Sequence, residues 1–293
     1  MNQAQAWILA SRPRTLTATV VPVIVGTALA YRFNPELSWF LVASAFLCTL
    51  FLQFTTNLVN DVSDFKKGTD TPDRLGPLRA TANGWLEPKA VWTGAVVCIF
   101  LAILTGFPLI QAGGFPLLVL GFASILAAVA YTAGPFPLAY LGLGEVFVLI
   151  FFGWVAVVGL VFALTGSWIV PGTWIAATQI GLLSVVMIAI NNLRDIHGDK
   201  KNNKHTLAAR FGEKFARGVI AFSLFSPYAL GVLWWNMNPR IFILPLAALP
   251  LGLKIFGDLS HTPASKAMNA FLGKASLHLL LFGLLLSVAL IWK

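Results

Sequence analysis

Apolar residues run along this chain in unbroken blocks, each long enough to cross a bilayer, which takes about 17 to 25 helical residues. Nine such blocks, at 15–31, 39–60, 90–110, 115–132, 138–164, 168–191, 219–235, 241–256 and 276–292, predict an all-α polytopic membrane protein with about nine transmembrane helices. The eighth is the shortest and carries Pro245 and Pro250, so it is the weakest block. The opening stretch 1–15 holds too short an apolar run for a signal peptide, and residues 4–10 are expected to lie along the interface.

Composition agrees with this pattern and excludes other classes. The 293 residues are 58% hydrophobic and 11% charged, with a mean hydropathy of +0.81. A soluble domain carries about 25% charged residues. A secreted disulfide scaffold, a disordered chain and an ordinary cytosolic enzyme are therefore excluded. Cys48 and Cys98 both fall inside apolar blocks without metal-ligand spacing, and read as small core residues.

The net charge of +9 invites a nucleic-acid reading, but the placement of the basic residues undercuts it. With nine spans and a cytoplasmic N-terminus, 17 of the 20 Lys and Arg residues fall in inner loops, leaving only Arg32, Arg240 and Lys293 outside. Cytoplasmic loops keep positive charge, so the topology accounts for the charge and no nucleic-acid partner is expected.

Acids are scarce. Of 11, six fall in two short stretches: Asp61, Asp64, Asp70 and Asp73 after the second block, and Asp195 and Asp199 after the sixth. Asn57 and Asp61 recur as Asn191 and Asp195 at an offset of 134, which points to a duplicated helical unit. A spacing of four places Asn57 with Asp61, Asn60 with Asp64, and Asn191 with Asp195 and Asp199 on common helix faces. Carboxylates at inward-running helix C-termini oppose the macrodipole and require cations. Oxygen donors on two helices suit Mg²⁺, which binds a few carboxylates together with substrate phosphates. Lys66, Lys67, Arg79, Arg194, Lys204 and Arg210 stand beside the acids, either as phosphate contacts or as ordinary positive-inside residues. The pair of clusters reads as a diphosphate–magnesium site. An amphiphile with its head at the loops and its tail among the spans, such as an allylic prenyl diphosphate, fits that position.

These motifs resemble the paired aspartate motifs of the UbiA superfamily of intramembrane aromatic prenyltransferases. The matching pieces are SRPRTLTATVVPVIVGTALAY (11–31), NDVSDFKKGTD (60–70), GPLRATANG (76–84), YTAGPFPLAYLGLGEV (131–146) and NNLRDIHGDKKNNKHTLAARFG (191–212). The detail is closest to the branch that prenylates 1,4-dihydroxy-2-naphthoate in menaquinone synthesis.

The resemblance implies one transmembrane prenyltransferase domain over 1–293. It would be a helical bundle around a central cavity, in two pseudo-repeated halves carrying motifs at 57–73 and 191–204. It implies a bacterial inner-membrane enzyme with its active site on the cytoplasmic side. Mg²⁺ would be held by Asp61 and Asp64 facing Asp195 and Asp199, with Asp70 as a further ligand and Asp73 ordering the loop. Asn57, Asn60 and Asn191 would supply amide ligands or orient carboxylates, and Arg194 would touch substrate. Lys67, Arg79 and Lys204 would neutralise the departing diphosphate. Tyr131 and Glu145 are candidate contacts to the aromatic substrate, with an interfacial anchor and a helix-dipole carboxylate as their plainer readings. His197 and His205 read as solvated loop residues. The implied reaction joins a prenyl diphosphate to 1,4-dihydroxy-2-naphthoate with loss of carbon dioxide, giving demethylmenaquinone. Other acceptors, such as 4-hydroxybenzoate or homogentisate, a phytyl donor, and a cation-coupled transporter remain the alternatives.

Overall fold

A computed structural model of the chain describes residues 2–70 and 74–292, and within them every regular element is helical. Asp73 lies outside the described residues. The elements are α1 (Gln3–Ser11), α2 (Thr17–Phe33), α3 (Trp39–Lys66), α4 (Pro88–Gly113) and α5 (Phe115–Ala130). There follow α6 (Gly144–Thr165), α7 (Thr173–Arg194), α8 (Ile196–Lys201), α9 (Leu207–Trp234), α10 (Pro239–Ser260) and α11 (Lys266–Ile291). Seven of them, α3, α4, α6, α7, α9, α10 and α11, are long and apolar enough to cross a membrane; α2 and α5 are shorter apolar helices.

Local chemistry sets where these helices begin and end. Asn2 and Gln5 form a reciprocal capping box at the start of α1, and Ser38 and Thr206 cap α3 and α9 with their hydroxyls. Gly114, at φ 65°, turns α4 directly into α5, a backbone conformation that a side chain would strain. Several boundaries depart from the apolar blocks. The second block ends at 60, yet α3 continues to Lys66, carrying Asp61 and Asp64 in its last turns. At the fifth block, Pro135 and Pro137 just before it and the left-handed Gly142 within it delay the helix. Leu138–Tyr140 becomes a separate 3-10 turn, and α6 starts only at Gly144. A hydropathy window also misses the polar first turns of α9, which bear Arg210, Glu213 and Lys214. Around Pro245 and Pro250, α10 tightens to 3-10 winding at Leu244–Ala248 and stays continuous.

The second acidic motif does not lie on one straight face as expected. The chain bends at Asp195 (φ −92°, ψ 8°), and α8 carries Asp199 beyond the bend.

The most enclosed span is α7, with 78% of its apolar window buried against 17% of that of α4. It packs with α2, α9, α10 and α11 into the main core, where Ile180, Leu183, Leu224, Phe282 and Leu286 are fully covered. On its other side α6 crosses it backbone to backbone. A Cβ at Gly153 would lie 2.5 Å from the Ala177 carbonyl oxygen, and one at Gly181 would lie 2.8 Å from that of Leu149. Leu149–Val158 is wound as a π-helix through this crossing. Between α2, α3, α4, α5, α6 and α7 lies a cavity of about 490 Å³. A Gly181→Val substitution is expected to pry α6 from α7 and destabilise the fold by about 2–3 kcal/mol. Thermal unfolding in detergent checks this, and an unchanged Tm would contradict the close crossing.

Candidate active site

The last turns of α3 carry the first acidic motif, and its members take different partners. Asp61 is 1% exposed. Its Oδ1 accepts the Thr81 N–H at 3.0 Å and its Oδ2 the Ala80 N–H at 3.2 Å. Through these two bonds Asp61 holds the loop around residue 80 against the end of α3. Asp64 instead accepts the Tyr140 hydroxyl at 2.8 Å and lies 3.5 Å from an Arg79 nitrogen. Asp70 pairs with Arg74 and, at 3.4 Å, with Arg79 Nε. The Asn60 amide oxygen accepts from both Arg12 and Arg79, and Asn57 Nδ2 donates to the Ser11 carbonyl at 2.9 Å.

The second motif divides in the same way. Arg194 is 2% exposed and grips Asp195 with two hydrogen bonds of 2.8 and 2.6 Å. Its third nitrogen donates to Asn269 Oδ1 at 2.6 Å, and Asn269 in turn donates to the Leu75 carbonyl at 2.8 Å. Arg194, expected at the substrate, therefore ties α7 to the start of α11 and to the loop near Leu75. Asp199 accepts the Thr206 hydroxyl at 3.2 Å and faces Lys204 Nζ at 3.8 Å. Burial pushes the carboxyls of Asp70 and Asp199 up to about 6.

Tyr140 joins the two motifs. Its hydroxyl donates to Asp64 and sits 3.2 Å from that of Thr69. Its ring has Lys67 Nζ 4.2 Å from the centroid and Lys204 Nζ 5.4 Å from it. Its carbonyl accepts the His205 N–H at 3.0 Å. Burial and the neighbouring Asp64 charge push the phenol up, so it keeps its proton and donates. Lys67 also donates to the Thr132 carbonyl at 2.7 Å. The charge of Asp64, from the opposite motif, adds a small part to the rise at Asp199.

Below this polar rim the cavity opens. Arg12, Asn57, Asn60, Tyr131 and Asn191 line its mouth, while Leu109, Leu117, Phe122, Phe147 and Phe151 line its apolar part. Asn57 and Asn191, the paired positions of the two motifs, thus face the same space. Glu145 is buried, with Oε1 accepting from Asn192 Nδ2 at 2.9 Å and Oε2 without a hydrogen-bond partner. It is next to Gly144, where a Cβ would lie 3.0 Å from the Tyr131 hydroxyl. His197 is exposed, 3.9 Å from Glu213.

Residues 19–281 match the UbiA prenyltransferase family. The chain belongs to that family. It is 37% identical over 252 residues to the 1,4-dihydroxy-2-naphthoate octaprenyltransferase of Escherichia coli strain K12, covering 80% of each chain. The octaprenyltransferase of the same name from Haemophilus influenzae is 33% identical, covering 99% of this chain and 97% of the relative. The fold is that of a UbiA homologue from Archaeoglobus fulgidus solved with GPP and Mg²⁺ bound, at TM-score 0.66 and 17% identity, covering 98% and 100% of the two chains. The chain is accordingly an integral membrane prenyltransferase, and its likeness to the naphthoate branch holds.

Family membership raises the question of a metal. Among the described residues no three Asp, Glu, His or Cys side chains converge as an all-protein cage. Asp64 and Asp199 offer single carboxylates, one from each motif, and Lys67 and Lys204 both lie by the ring of Tyr140, which bonds Asp64. That donor set fits Mg²⁺, which takes one or two carboxylates and completes its shell with water and phosphate oxygens.

Sequence reasoning missed Tyr140, Arg12 and Arg74. The prolines and glycine that break the chain around Tyr140 were the available signal for it. An Asp61→Ala substitution leaves two buried backbone N–H groups unpaired and is expected to cost about 2–4 kcal/mol of local stability. Hydrogen exchange at the Ala80 and Thr81 amides should accelerate strongly; unchanged protection there would contradict the anchoring role.

Proposed function

We propose that this protein transfers a prenyl group from an allylic prenyl diphosphate to 1,4-dihydroxy-2-naphthoate, with loss of carbon dioxide and diphosphate, to give the prenylated naphthoquinol, demethylmenaquinol, whose oxidation to the quinone is a separate step. The observation that carries this reading is the joining of Asp64 and Asp199, with Lys67 and Lys204, around Tyr140 above an apolar cavity. The names of the relatives support the acceptor, and the archaeal homologue with GPP and Mg²⁺ supports the donor.

In this reading residues 1–293 form one membrane domain of nine spans in two pseudo-repeated halves, counting α2 and α5 as crossing. The N-terminus and the site lie on the cytoplasmic side of a bacterial inner membrane, where the basic loops gather. Asp64 and Asp199 would be the leading Mg²⁺ ligands, with Asp61, Asp70 and Asp195 as the further carboxylates of the two motifs. When bound, the ion would neutralise the diphosphate and favour its departure. Lys67, Lys204 and Arg79 place positive charge where the leaving group gathers negative charge. The cavity keeps water from the allylic cation, and Asn57, Asn60 and Asn191 orient groups at its mouth. Tyr131 and Glu145 face the acceptor, whose ring carbon bearing the carboxylate is alkylated before carbon dioxide leaves.

The deciding experiment supplies purified protein with a series of prenyl diphosphates and 1,4-dihydroxy-2-naphthoate, 4-hydroxybenzoate or homogentisate, with and without Mg²⁺. Product mass should show decarboxylated prenyl naphthoquinol only when Mg²⁺ is present; a product that keeps its carboxylate would overturn the naphthoate assignment. A Lys204→Ala substitution should raise the KM for prenyl diphosphate about tenfold or more, as loss of a charge-assisted hydrogen bond does.

Asp70 and Asp199 also predict a pH dependence. Their carboxyls release protons near 4 when unfolded but near 6 in the fold. Without metal they therefore weaken the fold as pH rises from 4 to 6. A cation that binds the ionised forms reverses this. The rise in Tm on adding Mg²⁺ with a prenyl diphosphate should be larger at pH 7.5 than at pH 5, and an equal rise at both would contradict it.

A further inference from the structure

The side of the cavity formed by α2, α3 and the turn before α2 carries a run of hydroxyl and amide side chains, while Ser124 and Ser184 are polar residues on the opposite helices. Thr15, Thr19, Thr49, Gln53 and Thr56 all line that side. Thr49 and Thr56 are satisfied within their own helix, donating to the Ala45 carbonyl at 2.8 Å and the Leu52 carbonyl at 3.0 Å. Gln53 and Thr19 differ. They are 8% and 3% exposed, and neither Gln53 Oε1 nor Thr19 Oγ1 has a hydrogen-bond partner in the protein.

The orientation of the amide follows from its neighbour. Thr15 Oγ1 donates to the Arg12 carbonyl at 2.9 Å, so its lone pair accepts Gln53 Nε2 at 3.1 Å. Gln53 Oε1 is then left as a bare acceptor. Buried polar atoms in native proteins find partners, and one left unpaired in an apolar cavity marks a ligand or a water. A prenyl chain has no proton to donate, but a phenol has. Gln53 lies seven residues before Asn60 on α3, roughly 10 Å along the helix, and both line the same cavity.

We propose that Gln53, with Thr19 on the facing helix, forms the subsite that accepts a hydroxyl of the aromatic acceptor and so selects a dihydroxy ring over a monohydroxy one. The proposal rests on the naphthoate reading above and names the part of the cavity that recognises the ring.

The test compares full-length wild type, Gln53→Leu and Thr19→Val in nanodiscs with Mg²⁺ and a prenyl diphosphate. It measures KM for each substrate and the inhibition constant of 1-hydroxy-2-naphthoate, which lacks the second hydroxyl. Gln53→Leu should raise the KM for 1,4-dihydroxy-2-naphthoate about tenfold or more. It should leave the prenyl diphosphate KM and the inhibition constant within about twofold. Thr19→Val, which exchanges a hydroxyl for a methyl, should show the same split at smaller size and covers the case in which Gln53→Leu fails to fold. Equal weakening of dihydroxynaphthoate and the monohydroxy inhibitor, or a wild-type KM in the folded variants, overturns the subsite while the functional reading stands. A wild-type protein that ignores dihydroxynaphthoate but prenylates another aromatic acid overturns the functional reading, and the subsite with it.

Discussion

The site depends on one phenol. Tyr140 donates to Asp64 while its ring lies within reach of two ammonium groups, Lys67 from the end of α3 and Lys204 from the loop after α8. The carboxylates of α3 and α8 and these lysines would otherwise belong to separate cytoplasmic loops. A neutral, protonated ring between them lets like-signed groups share a small volume without direct contact, and its backbone carbonyl fixes the second loop through His205. The position of Tyr140 follows in turn from Pro135, Pro137 and Gly142, which hold it in a short turn outside α6.

Around that bridge the charged residues separate into those that hold the scaffold and those that face the space between the motifs. Asp61 and Arg194 belong to the first kind. Asp61 fastens the loop around residue 80, and Arg194 links α7, α11 and the loop near Leu75. Both are almost wholly buried, where an unpaired charge is strongly unfavourable, and both have their partners. Asp64, Asp199, Lys67 and Lys204 belong to the second kind. Helix α7 serves both parts: it crosses α6 closely at Gly153 and Gly181 and lines the cavity with Ser184, Met187, Ile188 and Asn191.

Helical membrane architecture was legible from apolar block length alone, since each block had to satisfy its own backbone in lipid. Both acidic motifs were legible because charge is rare enough in this chain for two clusters to stand out. Hydropathy could not place Tyr140, whose tyrosine among leucines reads as membrane until the prolines and the left-handed glycine interrupt the helix. Nor could spacing show which aspartate of Asn-x-x-x-Asp bonds to backbone. That depends on the loop near residue 80 folding back onto α3, a contact 19 residues distant in the chain. The bend at Asp195 was hidden for the same reason: a helical repeat describes only the residues within it.

The central claim is that Asp64 and Asp199 act on one metal–diphosphate group rather than at separate places. A double-mutant cycle measures it directly, using the affinity of Asp64→Asn, Asp199→Asn and the double variant for a non-reactive prenyl thiolodiphosphate with Mg²⁺. If the two carboxylates share one ligand, the double variant should bind about as weakly as either single variant, a large coupling between the sites. Losses that simply add would place the two carboxylates at independent sites and contradict the account.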